Sequence, residues 1–153
     1  MRIGIVGTRL AGVDGVTFEA AKWETVLLGL GHEVRLCAGE LDALRSNARL
    51  IPAMHFAYPP AARVTAAAFD PASDPDSVLG EIERLAGQLL PPLHDWLSRN
   101  RLEALIVENA WAIPMHLPLG VARTSVRTQN WHDRSRAVTL AFIQLALRRL
   151  ARA

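Results

Sequence analysis

One cysteine in 153 residues, Cys37, leaves no internal disulfide to hold the fold, so a buried core must do that work. A reduced, cytoplasmic setting is the expectation that follows. No stretch approaches the roughly 18 consecutive apolar residues of a membrane-spanning helix. Thr139 and Gln144 interrupt the last candidate, so no transmembrane segment is expected. A secretory leader is missing too. Gly4 and Gly7 break the short apolar run at the N-terminus, and Arg9 follows without a small-residue cleavage site.

Several chemical signatures are also missing. No Gly-Lys-Ser/Thr follows the first glycine-bearing loop, which excludes nucleotide hydrolysis of the P-loop kind. G-x-G-x-x-G is absent, which argues against an NAD site. There is no G-x-S-x-G, and neither a Ser-His-Asp nor a Cys-His arrangement. His32, His55, His94, His116 and His132 are scattered without the spacing that ligates a metal on one helix. Neither a metal nor a cofactor is therefore expected. His32, beside Gly31, is read as a partner of a helix C-terminus. His116 stands out among the five because it follows Glu108 and Asn109 closely.

What is present reads as an α/β protein. Apolar residues make up 50% of the chain and charged residues 21%, the balance of a soluble globular domain. Arg2 to Val6 is a short apolar strand ended by Gly7. Val16, Ala20, Trp23, Leu27 and Leu30 then recur at helical spacing up to Gly31, with Glu19, Lys22 and Glu24 outside that stripe. Glu33 to Ala38 is a second strand, completing a βαβ unit. Leu41 to Arg49 reads as short helix or loop. Leu50 to Phe56 reads as an edge strand disturbed by Pro52, and Tyr58 to Pro75 as a surface wrap. Asp74-Pro75 is an N-cap followed by proline at the first helical position. That helix carries Val78, Ile82, Leu85 and Leu89 on one face, and a kink or break is expected at Pro91-Pro92. Trp96 and Leu97 then point inward. Leu102 to Val107 is a third strand, with a short helix from about Pro114.

Charge divides the chain unevenly. From Arg123 onward there are seven arginines against one acid, Asp133, whereas residues 1–122 hold ten basic residues against fourteen acids. Residues 1–122 read as one domain and 123–153 as a separate basic segment. Its first part, to Arg136, reads as loop. From Ala137 it reads as a helix with Leu140, Ile143, Leu147 and Leu150 on one stripe. A terminal helix that docks on its own domain, or a non-native extension, explains that segment better than nucleic acid or a membrane surface, so nucleic acid is not expected as a partner.

Two places carry candidate chemistry. The loop Gly7 to Gly15 joins a buried strand to a helix, so free backbone N–H groups at the helix's positive end face the strand's carboxyl end. Thr8 and Arg9 add a hydroxyl and a cation, Asp14 a carboxylate, and Gly7, Gly12 and Gly15 allow close backbone approach. An ordinary βα connection with glycines for turn geometry gives the same pattern. Glu108 and Asn109, at the carboxyl end of the third strand, face the same crevice in an open α/β sheet. A carboxylate and an amide suit a polyhydroxylated ligand, although Asn109 also fits a helix cap.

The string from Gly7 through Ala20 to Gly31-His32-Glu33-Val34 resembles the opening of GT-B glycosyltransferases of the large retaining family 4, the "group 1" transferases. Leu105 to Ala110, with Ile113 to Leu119, is similar to a later segment of the same proteins. The resemblance spans about residues 1 to 121. It implies a Rossmann-like three-layer sandwich with a mainly parallel sheet, the N-terminal half of a GT-B fold. It also implies transfer of a sugar from a nucleotide-sugar donor to a carbohydrate or small-molecule acceptor bound by this half. By position, Gly7, Thr8, Arg9, Asp14 and Gly15 correspond to the family's first loop, and Glu108 and Asn109 to the cleft side of a later strand.

The family's donor-binding half, with its E-x-x-x-x-x-x-E segment, has no counterpart here. After about Ala122 the residues no longer resemble the family. A truncated or frame-disrupted product is the expectation, inactive alone, with a missing C-terminal domain or self-association completing it. Reading the DNA beyond codon 120 in the other frames tests this. The rival from another class is a stand-alone doubly wound binding or regulatory module for a small anion or nucleotide. A third reading is an interaction protein acting through its basic tail.

Overall fold

The structure, a computed structural model, describes residues 1–42, 46–108 and 114–128, and of residues 123–128 the backbone only. Asn109 and the basic segment past residue 128 lie outside the described residues. Among those described, the sheet has four parallel strands: β1 (Arg2–Gly7), β2 (Glu33–Ala38), β3 (Ala48–Leu50) and β4 (Ala104–Glu108). Their order is β3-β2-β1-β4. Four helices accompany them: α1 (Gly15–Gly29), α2 (Pro59–Ala67), α3 (Pro75–Arg99) and α4 (Leu117–Thr128).

Alternation along each strand sends neighbouring residues to opposite faces. Ile3, Ile5, Val34, Leu36, Ala104 and Ile106 join a cluster with Ala20 and Leu27 of α1. Val6, Cys37 and Leu105 join another with Leu89, Leu93, Trp96 and Leu97 of α3 and Leu119 of α4. Helices therefore cover both faces, and the fold is a Rossmann-like three-layer α/β sandwich. This is why β1 and β4 read as unbroken apolar runs rather than alternating ones. Burying a leucine such as Leu89 contributes about 1.5–3 kcal/mol.

The helix ends follow from local sequence. Asp14 Oδ1 accepts the Thr17 N–H at 2.8 Å, and Asp74 Oδ2 accepts the Ser77 N–H at 2.9 Å, each as an N-cap. At the other end of α1, Gly31 adopts φ +78° and its N–H reaches Leu28 O, while the His32 N–H reaches Leu27 O. This paired closure needs a left-handed residue, which glycine supplies. The side chain of His32 does not join it; Nδ1 lies 3.5 Å from the Met1 amine.

Several elements differ from the sequence reading. Glu24 is buried on α1 with its carboxylate on Asn47 Nδ2 at 3.0 Å, and Leu30 is 66% exposed, so the buried stripe is rotated toward Glu24. β3 is earlier and shorter than expected. Ile51 N–H still reaches Ala38 O, but Pro52 has no N–H to continue and opens a 3-10 turn, Pro52–Met54. The alanine-rich stretch after Tyr58 forms α2 because Pro59 and Pro60 occupy first-turn positions where no donor is needed.

α3 runs through Pro91 and Pro92 without a break. The carbonyls left without donors belong to Gly87 and Gln88, both exposed to water, while Leu89 and Leu93 anchor the helix on each side. α4 starts at Leu117 rather than Pro114 and continues to Thr128. Its backbone thus crosses the boundary drawn after Ala122, where a loop was expected.

Candidate functional site

β2 and β3 lie on one side of β1, and β4 lies on the other. The strand order therefore reverses between β1 and β4, which is where open α/β sheets form a ligand crevice at the carboxyl ends. Gly7 and Glu108 are register partners at that point. The first loop and the end of β4, separated by about a hundred residues in sequence, border one crevice.

Glu108 closes β4 on the α1 side. No hydrogen bond or ion pair holds its half-buried carboxylate among the described residues. Burial holds its pKa above the ordinary carboxylate value, and Glu19 of α1 adds to the rise. A half-buried carboxylate with a raised pKa at the end of a strand is a candidate site group.

The first loop is different, because its polar groups serve one another. Asp14 caps α1, and that bond to the Thr17 N–H is the main cause of a lowered Asp14 pKa, with Arg9 adding to it. Arg9 Nη1 lies 3.4 Å from Asp14 Oδ2, and Nε lies 3.2 Å from Glu40 Oε2. The guanidinium rests over Gly12, where a Cβ would come within 2.6 Å of Nη2. Gly12 also has φ +78°, so both space and backbone conformation require glycine. Its N–H donates to Asp42 Oδ1 at 2.7 Å. Thr8 is buried, and its carbonyl accepts the Gly39 N–H. Gly7 packs against Leu10, and Gly15 faces open space. At the positive end of α1 the Thr17 N–H is taken by the chain's own Asp14 carboxylate.

Residues that the sequence reading passed over complete this arrangement. Glu40 follows β2 and Asp42 follows it closely. Glu40 Oε2 lies 3.2 Å from Arg9 Nε and 2.9 Å from His55 Nε2, close enough for ion pairing but without hydrogen-bond geometry. His55 Nδ1 accepts the Ala57 N–H at 3.1 Å, whereas Nε2 is near Glu40 without forming a hydrogen bond. His55 reaches Glu40 because the backbone at Met54 and His55 lies directly against Gly39, where any Cβ would collide with it. The signal was available. Gly39-Glu40 ends an apolar strand just as Gly7 and Glu108 do.

His116 has a structural place rather than a chemical one. It is buried, with Nε2 donating to Ala53 O at 2.8 Å and Nδ1 accepting the Leu119 N–H at 3.1 Å. Burial lowers its pKa, and the neutral tautomer satisfies both nitrogens. It caps α4 and ties that helix to the 3-10 turn. Cys37 is buried against Met54, and burial pushes its thiol pKa up to about 12, so it is no nucleophile.

A cleft of about 320 Å³ opens beside the first loop, lined by Leu10, Thr17, Ala20, Glu24, Leu36 and Asp42. It lies between α1 and β2 rather than at Glu108. Among the described residues, no group of three histidine, cysteine or acidic side chains is arranged to hold a metal ion. None of the described helices is long and apolar enough to cross a membrane. No protein-family model matches the chain, and no curated protein matches its sequence.

Proposed function

We propose that this chain is the acceptor-side portion of a glycosyltransferase that moves a sugar from a nucleotide-sugar donor to a carbohydrate or small-molecule acceptor. The observation that carries the reading is the pairing of Gly7 with Glu108, which has no partner among the described residues, at the reversal of strand order. The resemblance of residues 1 to 121 to family 4 transferases supplies the class of reaction. In this reading the crevice positions an acceptor hydroxyl, and the Glu108 carboxylate receives its hydrogen bond. Donor phosphates belong to a second half that closes over this one, so turnover requires both halves.

The internal capping of the first loop counts against the rival reading of a stand-alone module for a small anion. Asp14 already fills the place an anion would take at α1. The test is isotope-edited NMR of the full chain with acceptor sugars. Shifts at Gly7, Thr8 and Glu108 support the reading, and shifts confined elsewhere, or none, remove it. A nucleotide-sugar assay with a donor-holding half supplied in trans then tests turnover. Sugar transfer is expected only when both halves are present.

A further inference from the structure

We propose that His116 is an acid-sensitive latch: in acid its ring releases α4, and the first turn of that helix parts from the turn Pro52–Met54 while the sheet stays folded. The geometry behind this is the ring's double use. Nε2 donates to Ala53 O at 2.8 Å, and Nδ1 accepts the Leu119 N–H at 3.1 Å. A proton on Nε2 and a lone pair on Nδ1 satisfy both contacts, so the joint suits the neutral ring alone. Pro118 brings no N–H to the first turn of α4, which leaves Leu119 as the donor that the ring caps. The ring is buried, with His116 only 3% exposed.

A second proton can go only to Nδ1, where it points at the Leu119 N–H across 3.1 Å. Two donors then face each other, and the cap becomes a repulsion. The new charge also sits at the positive end of α4, where a cation is disfavoured. Nothing around the ring compensates. The residues of α2 and α3 that pack with Leu117 and Leu119, among them Val64, Leu85, Leu89 and Leu93, are apolar. The titratable group that bears on the ring is His55, just after the turn and itself 2.9 Å from Glu40. A charge on His55 opposes one on His116. The charged ring is therefore driven out of its place, and it gives up Ala53 O, the bond that joins α4 to the turn. The Leu119 N–H keeps the His116 carbonyl at 3.2 Å, so the helix itself persists. What acid changes is the population of the parted joint rather than the fold of either element.

The experiment follows amide exchange of the full chain by NMR between pH 7.5 and about 5. Protection of the Leu119 and Gly120 amides, corrected for intrinsic exchange, is expected to fall about tenfold over that range. In His116→Asn, which keeps a capping acceptor but takes up no proton, protection should stay flat. Low concentrations of urea should leave these two amides unaffected, because a local parting exposes little surface. Ile5 of β1, in contrast, should exchange faster as urea is added. Nitrogen-15 spectra of the wild-type ring keep the test independent of whether a variant folds. They should show the second proton arriving at Nδ1 with the same midpoint as the loss of Leu119 protection. Flat protection in the wild type, an equal fall in His116→Asn, or a urea dependence matching that of Ile5 overturns the proposal. So does a ring that titrates while α4 does not respond.

Discussion

On one side of β1, polar residues are spent on each other; on the other, a carboxylate has no partner among the described residues. Arg9, Glu40, His55 and Asp14 knit the loops after β1 and β2 to the turn after β3. Glu108, one strand away, feels the like charge of Glu19 on α1. The first arrangement holds the loops still. The second is a local cost, of the kind that persists where a site needs an ionisable group ready. The contrast predicts that substitutions on the β2 side act mainly on stability, and that substitution at Glu108 acts mainly on binding.

The largest expected effect comes from Gly39. A methyl group there meets the backbone of Met54 and His55, which cannot step aside as a side chain would. Gly39→Ala should cost about 3 kcal/mol in urea unfolding. Gly15→Ala is the control within the same edge of the sheet. Nothing lies within 4 Å of that position, and the change should be neutral or stabilising by about 0.5 kcal/mol. Equal losses at both positions would mean that glycine content, and not the contact between loops, sets the stability.

Next in size is His116. His116→Phe removes both side-chain hydrogen bonds and leaves Ala53 O without its donor, while the Leu119 N–H keeps the His116 carbonyl, at about 1–2 kcal/mol. The wild type should also show a pH signature. The folded pKa lies below the ordinary 6.5, so the unfolded chain binds the proton first as acid is added. Stability from this group is complete above pH 6.5 and falls as the pH drops through 6.5 toward the folded value. Denaturation midpoints between pH 7.5 and about 5 check it, and the slope should vanish in His116→Phe.

Asp14→Ala should lower the melting temperature by removing the N-cap of α1. The folded pKa of Asp14 is lowered, so its contribution is present at neutral pH and is lost as pH falls through 3.8 toward the folded value. Melting curves at pH 7 and in strong acid separate this loss from the one at His116. A variant as stable as the wild type at pH 7 would show that Arg9 and Glu40 hold the loop without the cap.

Much of this was legible because backbone geometry leaves short-range marks. Asp14 and Asp74 as caps, Gly31 as the helix stop, and the inward Trp96 and Leu97 could all be read from neighbours a few positions away. The clasp could not. Glu40, His55 and Arg9 meet only because three parallel strands end at one level, and that level is set by register rather than by local pattern. The rotated stripe of α1 was hidden for a similar reason. Glu24 is buried against Asn47, a partner from the start of β3 that no helical periodicity announces. Of the candidate site, Gly7 and Glu108 were found because both end apolar strands. The capping role of Asp14 was not read from the loop, because a capping aspartate and a ligand call on the same amides.

The smallest effect on stability falls at Glu108, and it has the opposite sign. An acid whose folded pKa is raised costs stability when ionised, so that cost grows as pH rises from 4.5 toward the folded value and is complete above it. Glu108→Gln removes the charge facing Glu19 and should stabilise the chain slightly, by less than about 1 kcal/mol after solvent screening. Binding should move the other way. An amide keeps one acceptor but loses the charge, so affinity for a neutral polyol should fall several-fold in the same variant. A more stable protein that binds less well is the pattern of a residue retained for what it holds. If Glu108→Gln loses stability and keeps its affinity, the carboxylate belongs to the scaffold, and the two sides of β1 do not differ in kind.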